Sequence, residues 1–281
     1  MRNTPLLAAA AALAFATPAL AQDHSAHGAH HGDHHGAEAH PLEHILAMPH
    51  RDGDRARDQY RNPAETLAFF RIEPTMRVAE FAPGGGWYTR VLLPWLAPQG
   101  AYFAFQGGRP PAEDGTTWPQ RFTAAMAAAE WAGGAQVTAF ESNAIPADVA
   151  GTLDRVLIFR SIHGLLNGNA ADAELRAIRT LLADDGMVGV VQHRASEDAS
   201  WDYANGSNGY LRQSDVIRLF ELNGFELVDT SEVNANPADP ANWEEGVWTL
   251  PPTLTLGDQD RARYEAIGES DRMTLLFRKR A

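Results

Sequence analysis

The sequence predicts a doubly wound α/β sheet. Three observations carry that expectation. Short β-forming runs alternate with segments of helical period along most of the chain. The run Met76-Arg-Val-Ala-Glu80-Phe-Ala-Pro-Gly84-Gly85-Gly86-Trp87-Tyr-Thr-Arg reads as a strand, a glycine turn and the start of a helix. Leu153-Asp-Arg-Val-Leu-Ile-Phe159 is almost wholly apolar, as a strand covered on both faces should be.

The folded part is expected to begin near Arg51. Asn62-Pro63-Ala64-Glu65 is a helix start, with Asn62 as cap, Pro63 at the first position and Glu65 reaching back. That helix should stop before Pro74. The charged stretch Arg57-Asp-Gln-Tyr-Arg61 ahead of it either folds over a ligand or forms a solvated helix face. In the glycine turn, three glycines let the backbone approach a ligand closely. The next helix presents its N-terminus there, while Glu80, near the strand end, suits hydroxyls or a cation. The second strand is Gly100–Phe105, ending at Gln106. Residues 107–135 are an insertion with a helix over Gln120–Trp131. The third strand is Gln136–Phe140, followed by Ser142 and Asn143. The apolar fourth strand leads into Arg160-Ser-Ile-His163. A helix over Ala171–Ala183 is ended by Asp184-Asp185-Gly186, and Met187–Val191 is the fifth strand, leading to His193. A helix over Ser214–Asn223, a strand over Phe225–Val228, a second insertion at 234–272 and a strand over Met273–Phe277 complete the order.

Composition bounds the function. The chain has 281 residues, 44% of them apolar, enough to bury a sizeable core. Arg2, the apolar run Leu6–Ala16 and Ala19-Leu-Ala21 have the form of a secretory signal peptide cut after Ala21. The expected location is therefore periplasmic or secreted. The apolar run is too short for a permanent membrane anchor. Loss of Arg2 would take the net charge from −13 to about −14, which disfavours nucleic acid as a partner. There is no cysteine, so disulfides are excluded. Nine of the eleven histidines lie in residues 22–50: His24, His27, His30, His31, His34, His35, His40, His44 and His50. Such a tract is expected to be disordered and to bind Cu, Ni or Zn, with or without a purpose.

The motifs resemble class I S-adenosylmethionine (SAM)-dependent methyltransferases. More narrowly, they resemble a bacterial group of exported "predicted methyltransferases" with a Pro-Gly-Gly-Gly-Trp-Tyr-Thr loop. The resemblance spans roughly Arg55 to Arg278 and rests on Val78–Thr89, Phe159–Asn167, Gly189–Arg194 and Ala266–Thr274. It implies a Rossmann-like sheet of seven strands, the seventh antiparallel between the fifth and sixth. Glu80, Gly84, Gly85, Gly86 and Trp87 then match the loop that cradles the methionine part of SAM. Ala82 stands where the family has the first glycine of that motif. Gln106 stands where an acidic residue holds the ribose, and Ser142 and Asn143 match the adenine flank. Arg160 and the residues after it match the region between cofactor and substrate. His163 and His193 fall at neighbouring strand ends. They are candidates for base and substrate positioner, or for a metal site completed by Asp202 or Glu244. Three functions stay open. The first is methyl transfer to a small molecule. The second is the same fold holding another ligand. The third is periplasmic metal handling by the histidine tract.

Overall fold

The computed structural model describes residues 41–280. Its elements run α1 (Pro41–Leu46), α2 (Asp58–Arg61), α3 (Pro63–Phe69), β1 (Arg77–Phe81), α4 (Thr89–Leu96), β2 (Ala101–Gln106), α5 (Trp118–Ala128), β3 (Thr138–Glu141), β4 (Leu153–Phe159), α6 (Ile162–Asn167), α7 (Ala171–Leu181), β5 (Leu182–Ala195), α8 (Trp201–Ala204), β6 (Leu211–Arg212), α9 (Gln213–Leu222), β7 (Phe225–Ser231), α10 (Arg261–Ile267) and β8 (Arg272–Lys279). The sheet order is β3-β2-β1-β4-β5-β8-β7, with the two-residue β6 beside β5. β1 to β5 are parallel, and β8 runs antiparallel to both β5 and β7. The expected seven-stranded arrangement is therefore present, with one short extra strand. β4, buried at every position but Asp154, lies between β1 and β5, as its apolar sequence requires.

The period of two along each strand sorts side chains to opposite faces. Ala79, Phe81, Val156 and Ile158 join the core under α6, α7 and α9. Val78, Tyr102, Leu157 and Phe159 join the core under α1, α3 and α4. Glu80 alternates with Ala79 and Phe81, so it projects toward the α4 side. The second insertion has its own small core of Trp243, Val247, Leu250 and Tyr264 with Ala204 and Tyr210.

Several local expectations are corrected. The fold already includes α1, ahead of Arg51, because Leu42 and Ile45 pack into the core beside α4. His44 and His50 thus belong to the domain, and His50 Nε2 bonds the Arg90 carbonyl at 2.8 Å. His24 to His35, His40 and the signal-peptide pattern lie outside the described residues. Asn62 does not cap α3. It sits at φ 38°, and its Nδ2 donates to the Val233 carbonyl at 2.6 Å; a tertiary partner has displaced the local one. The α5 helix spans Trp118–Ala128, starting two residues and ending three residues earlier than expected. The Asp184-Asp185-Gly186 turn lies inside the 14-residue β5, where the register with β4 breaks. The polar turn survives as an irregularity because Leu182 still pairs with Leu153. None of the described helices is long and apolar enough to cross a membrane.

The early start is testable. Leu42→Ala and Ile45→Ala should each lower stability by about 2–4 kcal/mol in chemical denaturation. Values near zero would return α1 to a dispensable linker.

Candidate functional site

Two adjoining clefts lie at the carboxyl edge of the sheet, where this topology places ligands. The first has a volume of about 450 Å³ and the second about 390 Å³. They share Ala82, Arg160, Ser161 and His163, so they form one trough. Two backbone breaks shape it. Ala82 follows β1 at φ 47° and donates its N–H to the Phe105 carbonyl at 2.7 Å. Arg160 follows β4 at φ 56° and donates its N–H to the Val191 carbonyl at 2.6 Å. Left-handed backbone at non-glycine residues turns both chains sharply out of the sheet.

Glu80 forms part of the first cleft and is 2% exposed. Thr89 Oγ1 and the Tyr102 hydroxyl donate to its Oε2 at 2.8 and 2.7 Å. Its Oε1 has no such donor among the described residues. Burial raises its carboxyl to about 7, despite those two bonds and the charges of Arg160 and Arg90. Gly84 and Gly85 form the adjoining wall. Arg90 fixes that turn, since its Nη1 donates to the Gly85 carbonyl at 2.9 Å while Nε and Nη2 hold Asp54 at 2.5 and 2.9 Å. Gly86 is placed behind the wall with φ 74° and does not line the cleft. Trp87 lines it only in part. Its ring lies between the guanidiniums of Arg51 and Arg61, at 4.9 and 4.7 Å, and its Nε1 faces the Asp54 carbonyl at 3.4 Å. Trp87 therefore anchors the N-terminal segment over the glycine turn.

The second cleft holds Gln106, which is 7% exposed and whose Nε2 is buried without a partner. Glu174 of α7 faces the same space with Oε2 unpartnered, and burial raises its carboxyl although Ser142 opposes this. Ser142 and Asn143 do not line either cleft. Ser142 Oγ donates to Glu174 Oε1 at 2.9 Å, and the Asn143 amide packs against Gly108, where an added Cβ would collide with it. Protein partners have taken both side chains. Glu174 is the residue that sequence reasoning missed here; nothing local marks an acidic residue in a helix's first turn as a ligand group.

His163 and His193 do converge, with ring centroids 5.8 Å apart. His163 Nδ1 lies 3.4 Å from Gln192 Oε1 and 3.3 Å from its Nε2. Burial lowers the His163 imidazole below its ordinary value, opposed by Gln192 and aided by Arg160. His193 Nδ1 lies 2.6 Å from Ser270 Oγ. Burial, then the charges of Arg272 and Arg160, put it well below the ordinary range. Both rings are therefore neutral at pH 7. Among the described residues no third metal ligand stands beside this pair. Among the described residues no group of three or more His, Asp or Glu side chains could hold an ion, so neither Asp202 nor Glu244 completes a site. Trp248, from the second insertion, lines the first cleft with its ring 6.2 Å from His163.

The remaining wall is cationic. Arg57, Arg61, Arg160 and Arg272 line the first cleft together with Glu269 and Ser270. Of the two readings of the 57–61 run, folding over the site is the one observed. Arg61 pairs with Glu269 across 208 residues of chain.

The sheet order and the antiparallel β8 define an α/β protein of the methyltransferase fold. Solved structures agree. A SAM-dependent methyltransferase from Aquifex aeolicus superposes with a TM-score of 0.51 at 14% identity, covering 80% of this chain and 94% of that one. A cyclopropane-fatty-acyl-phospholipid synthase-like protein from Lactobacillus casei ATCC 334 gives 0.50 at 17% identity, covering 85% and 98%. No protein-family model and no curated protein matches the chain.

Proposed function

We propose that this protein is a SAM-dependent methyltransferase acting on a small molecule, of the exported kind its Pro83–Thr89 loop resembles. One observation supports this above the others. Glu80 is a buried carboxylate beneath a glycine turn, raised to about 7, with one oxygen unbonded. Such a group is completed by a cation, which would lower its pKa and remove the cost of its charge. SAM carries an ammonium and a sulfonium. The second cleft fits the rest of the cofactor, since Gln106 Nε2 and Glu174 Oε2 offer an unmet donor and an unmet acceptor to hydroxyls and ring nitrogens. Gly84 and Gly85 would border the methionine part, and Gln106 and Glu174 the adenosine.

When bound, SAM would supply an electrophilic methyl group on a sulfonium sulfur, which leaves as the thioether of S-adenosylhomocysteine. The chain's own residues position and deprotonate. Neutral His163 stands where the two clefts meet and accepts the acceptor's proton; His193 orients the acceptor, itself held by Ser270. Trp248 limits water in the first cleft. The leader pattern supports work outside the cytoplasm, which cell fractionation checks.

Calorimetric titration of the full chain with SAM and with S-adenosylhomocysteine tests the cofactor. Gly85→Val sharpens it. An added Cβ at Gly85 meets no atom within 4 Å, so the variant should fold normally while its side chain occupies ligand space. Binding should weaken about 100-fold or more, the cost of a misplaced group in a positioned site. Equal affinity in parent and variant would remove the glycine turn from the cofactor site.

A further inference from the structure

Four guanidiniums share one wall of the first cleft. Glu269 accepts from Arg57 Nε and Arg272 Nη2, and from Arg61 Nε at 3.2 Å. The Arg61, Arg272 and Glu269 side chains are each 2% exposed. The guanidiniums of Arg272, Arg61 and Arg57 overcome the effect of burial on Glu269 and hold it ionised, at about 2. One carboxylate thus serves three cations. Arg160 adds a fourth whose guanidinium has no hydrogen bond or ion pair to a described residue. Even with Glu80 ionised, positive charge exceeds negative by two.

The excess is also visible atom by atom. Arg57 Nη2, Arg61 Nη1, Arg61 Nη2 and Arg272 Nε are buried donors without partners. Buried guanidinium donors left without partners are costly, and a fold that keeps several beside a cavity is shaped for an anion to complete them. Burial and mutual repulsion act together on these groups: burial, then Arg160, lowers Arg61 to about 9, and burial, then Arg272, lowers Arg160 to about 10. His193 cannot offset this charge in either protonation state, since imidazole is neutral or cationic. The planar fork of arginine suits oxyanions in particular.

We propose that the corner formed by Arg61, Arg160 and Arg272 binds the anionic group of the methyl acceptor, a carboxylate or a phosphate. The name acceptor rests on the cofactor reading above; the anion site itself does not. The acceptor is then a small acid or phosphate ester, held by its charged end while its nucleophile faces His163.

The test titrates the full chain in low-salt buffer with inorganic phosphate and, separately, with malonate, each with and without saturating S-adenosylhomocysteine. At least one anion should bind with millimolar or tighter affinity, and the tighter of the two identifies the group. It should bind alongside S-adenosylhomocysteine. Arg160→Gln should weaken the anion tenfold or more while leaving the melting temperature no lower than the parent's, since that guanidinium makes no hydrogen bond or ion pair to a described residue and its burial is a cost that glutamine removes. Arg57→Gln, at the 27% exposed rim, should weaken it in the same direction. Three results would overturn the proposal: neither anion binds, Arg160→Gln binds as well as the parent, or S-adenosylhomocysteine displaces the anion. The last would assign the cluster to the cofactor's own carboxylate. If an anion binds but S-adenosylhomocysteine does not, the anion site stands and the methyltransferase reading fails.

Discussion

His163→Ala is expected to reduce turnover by about 10²–10⁴-fold while leaving S-adenosylhomocysteine affinity within about twofold of the parent. The ring sits where the two clefts meet, and its hydrogen-bonding partner is Gln192, at a long distance from Nδ1. Gln192 keeps its own bond to the Gly209 carbonyl at 2.8 Å, so the local fold does not depend on the imidazole. Because burial lowers the His163 pKa, the base is free throughout the neutral range. At saturating SAM, where the bound cation keeps Glu80 ionised, the rate of the parent should therefore hold steady as pH falls to about 6.5 and decline only below it. The variant should lose that acid limb together with the rate. Production of S-adenosylhomocysteine in the presence of acceptor measures both. Unchanged turnover, or a collapse of cofactor binding, would make His163 a packing residue and remove the general base from the mechanism.

The sequence displayed the parts of this site that depend on neighbours in the chain. The strand, glycine turn and helix around Glu80 are local, and so are the strand ends that carry His163 and His193. Given a doubly wound sheet, adjacent strand ends must bring those two rings together. The parts that failed depend on distant partners. The Arg57 to Glu269 pair spans 212 residues, and no periodicity announces it. Asn62 has an ideal capping sequence, but Val233 offers its amide a better-placed acceptor. Ser142 and Asn143 occupy the right edge of the sheet, yet Glu174 and Gly108 engage their side chains. The α1 helix was hidden for a different reason. Its apolar pair Leu42 and Ile45 lies inside a tract whose histidine content dominates any window drawn across it.

Glu80→Gln is expected to stabilise the ligand-free protein by about 3 kcal/mol at pH 8 and to leave it nearly unchanged at pH 4.5. Glu80 has a folded-state value of about 7 against an ordinary 4.5. The folded protein therefore holds more protons than the unfolded chain between those values. The associated stability is fully present below 4.5 and is lost as pH rises through 7. Glutamine imitates the protonated acid: its amide oxygen can accept from Thr89 and Tyr102 as Oε2 does, and it does not titrate. His163 and His193 slope the other way, since their lowered values favour the folded state above about 6.5. Both proteins contain them, so the difference between parent and variant isolates Glu80. The same substitution should weaken SAM about tenfold or more above pH 7, because the ammonium or sulfonium loses its counter-ion and a charge-assisted contact is worth about 1.5–3 kcal/mol. Stability and function thus pull this residue in opposite directions, as expected of a group retained for a ligand rather than for the fold. Denaturant titrations at pH 4.5, 6 and 8 give the stability difference, and calorimetry with SAM at pH 8 gives the affinity. A variant no more stable than the parent at pH 8 would mean that the Glu80 charge is already compensated within the protein, and the argument that the pocket awaits a cation would fall with it.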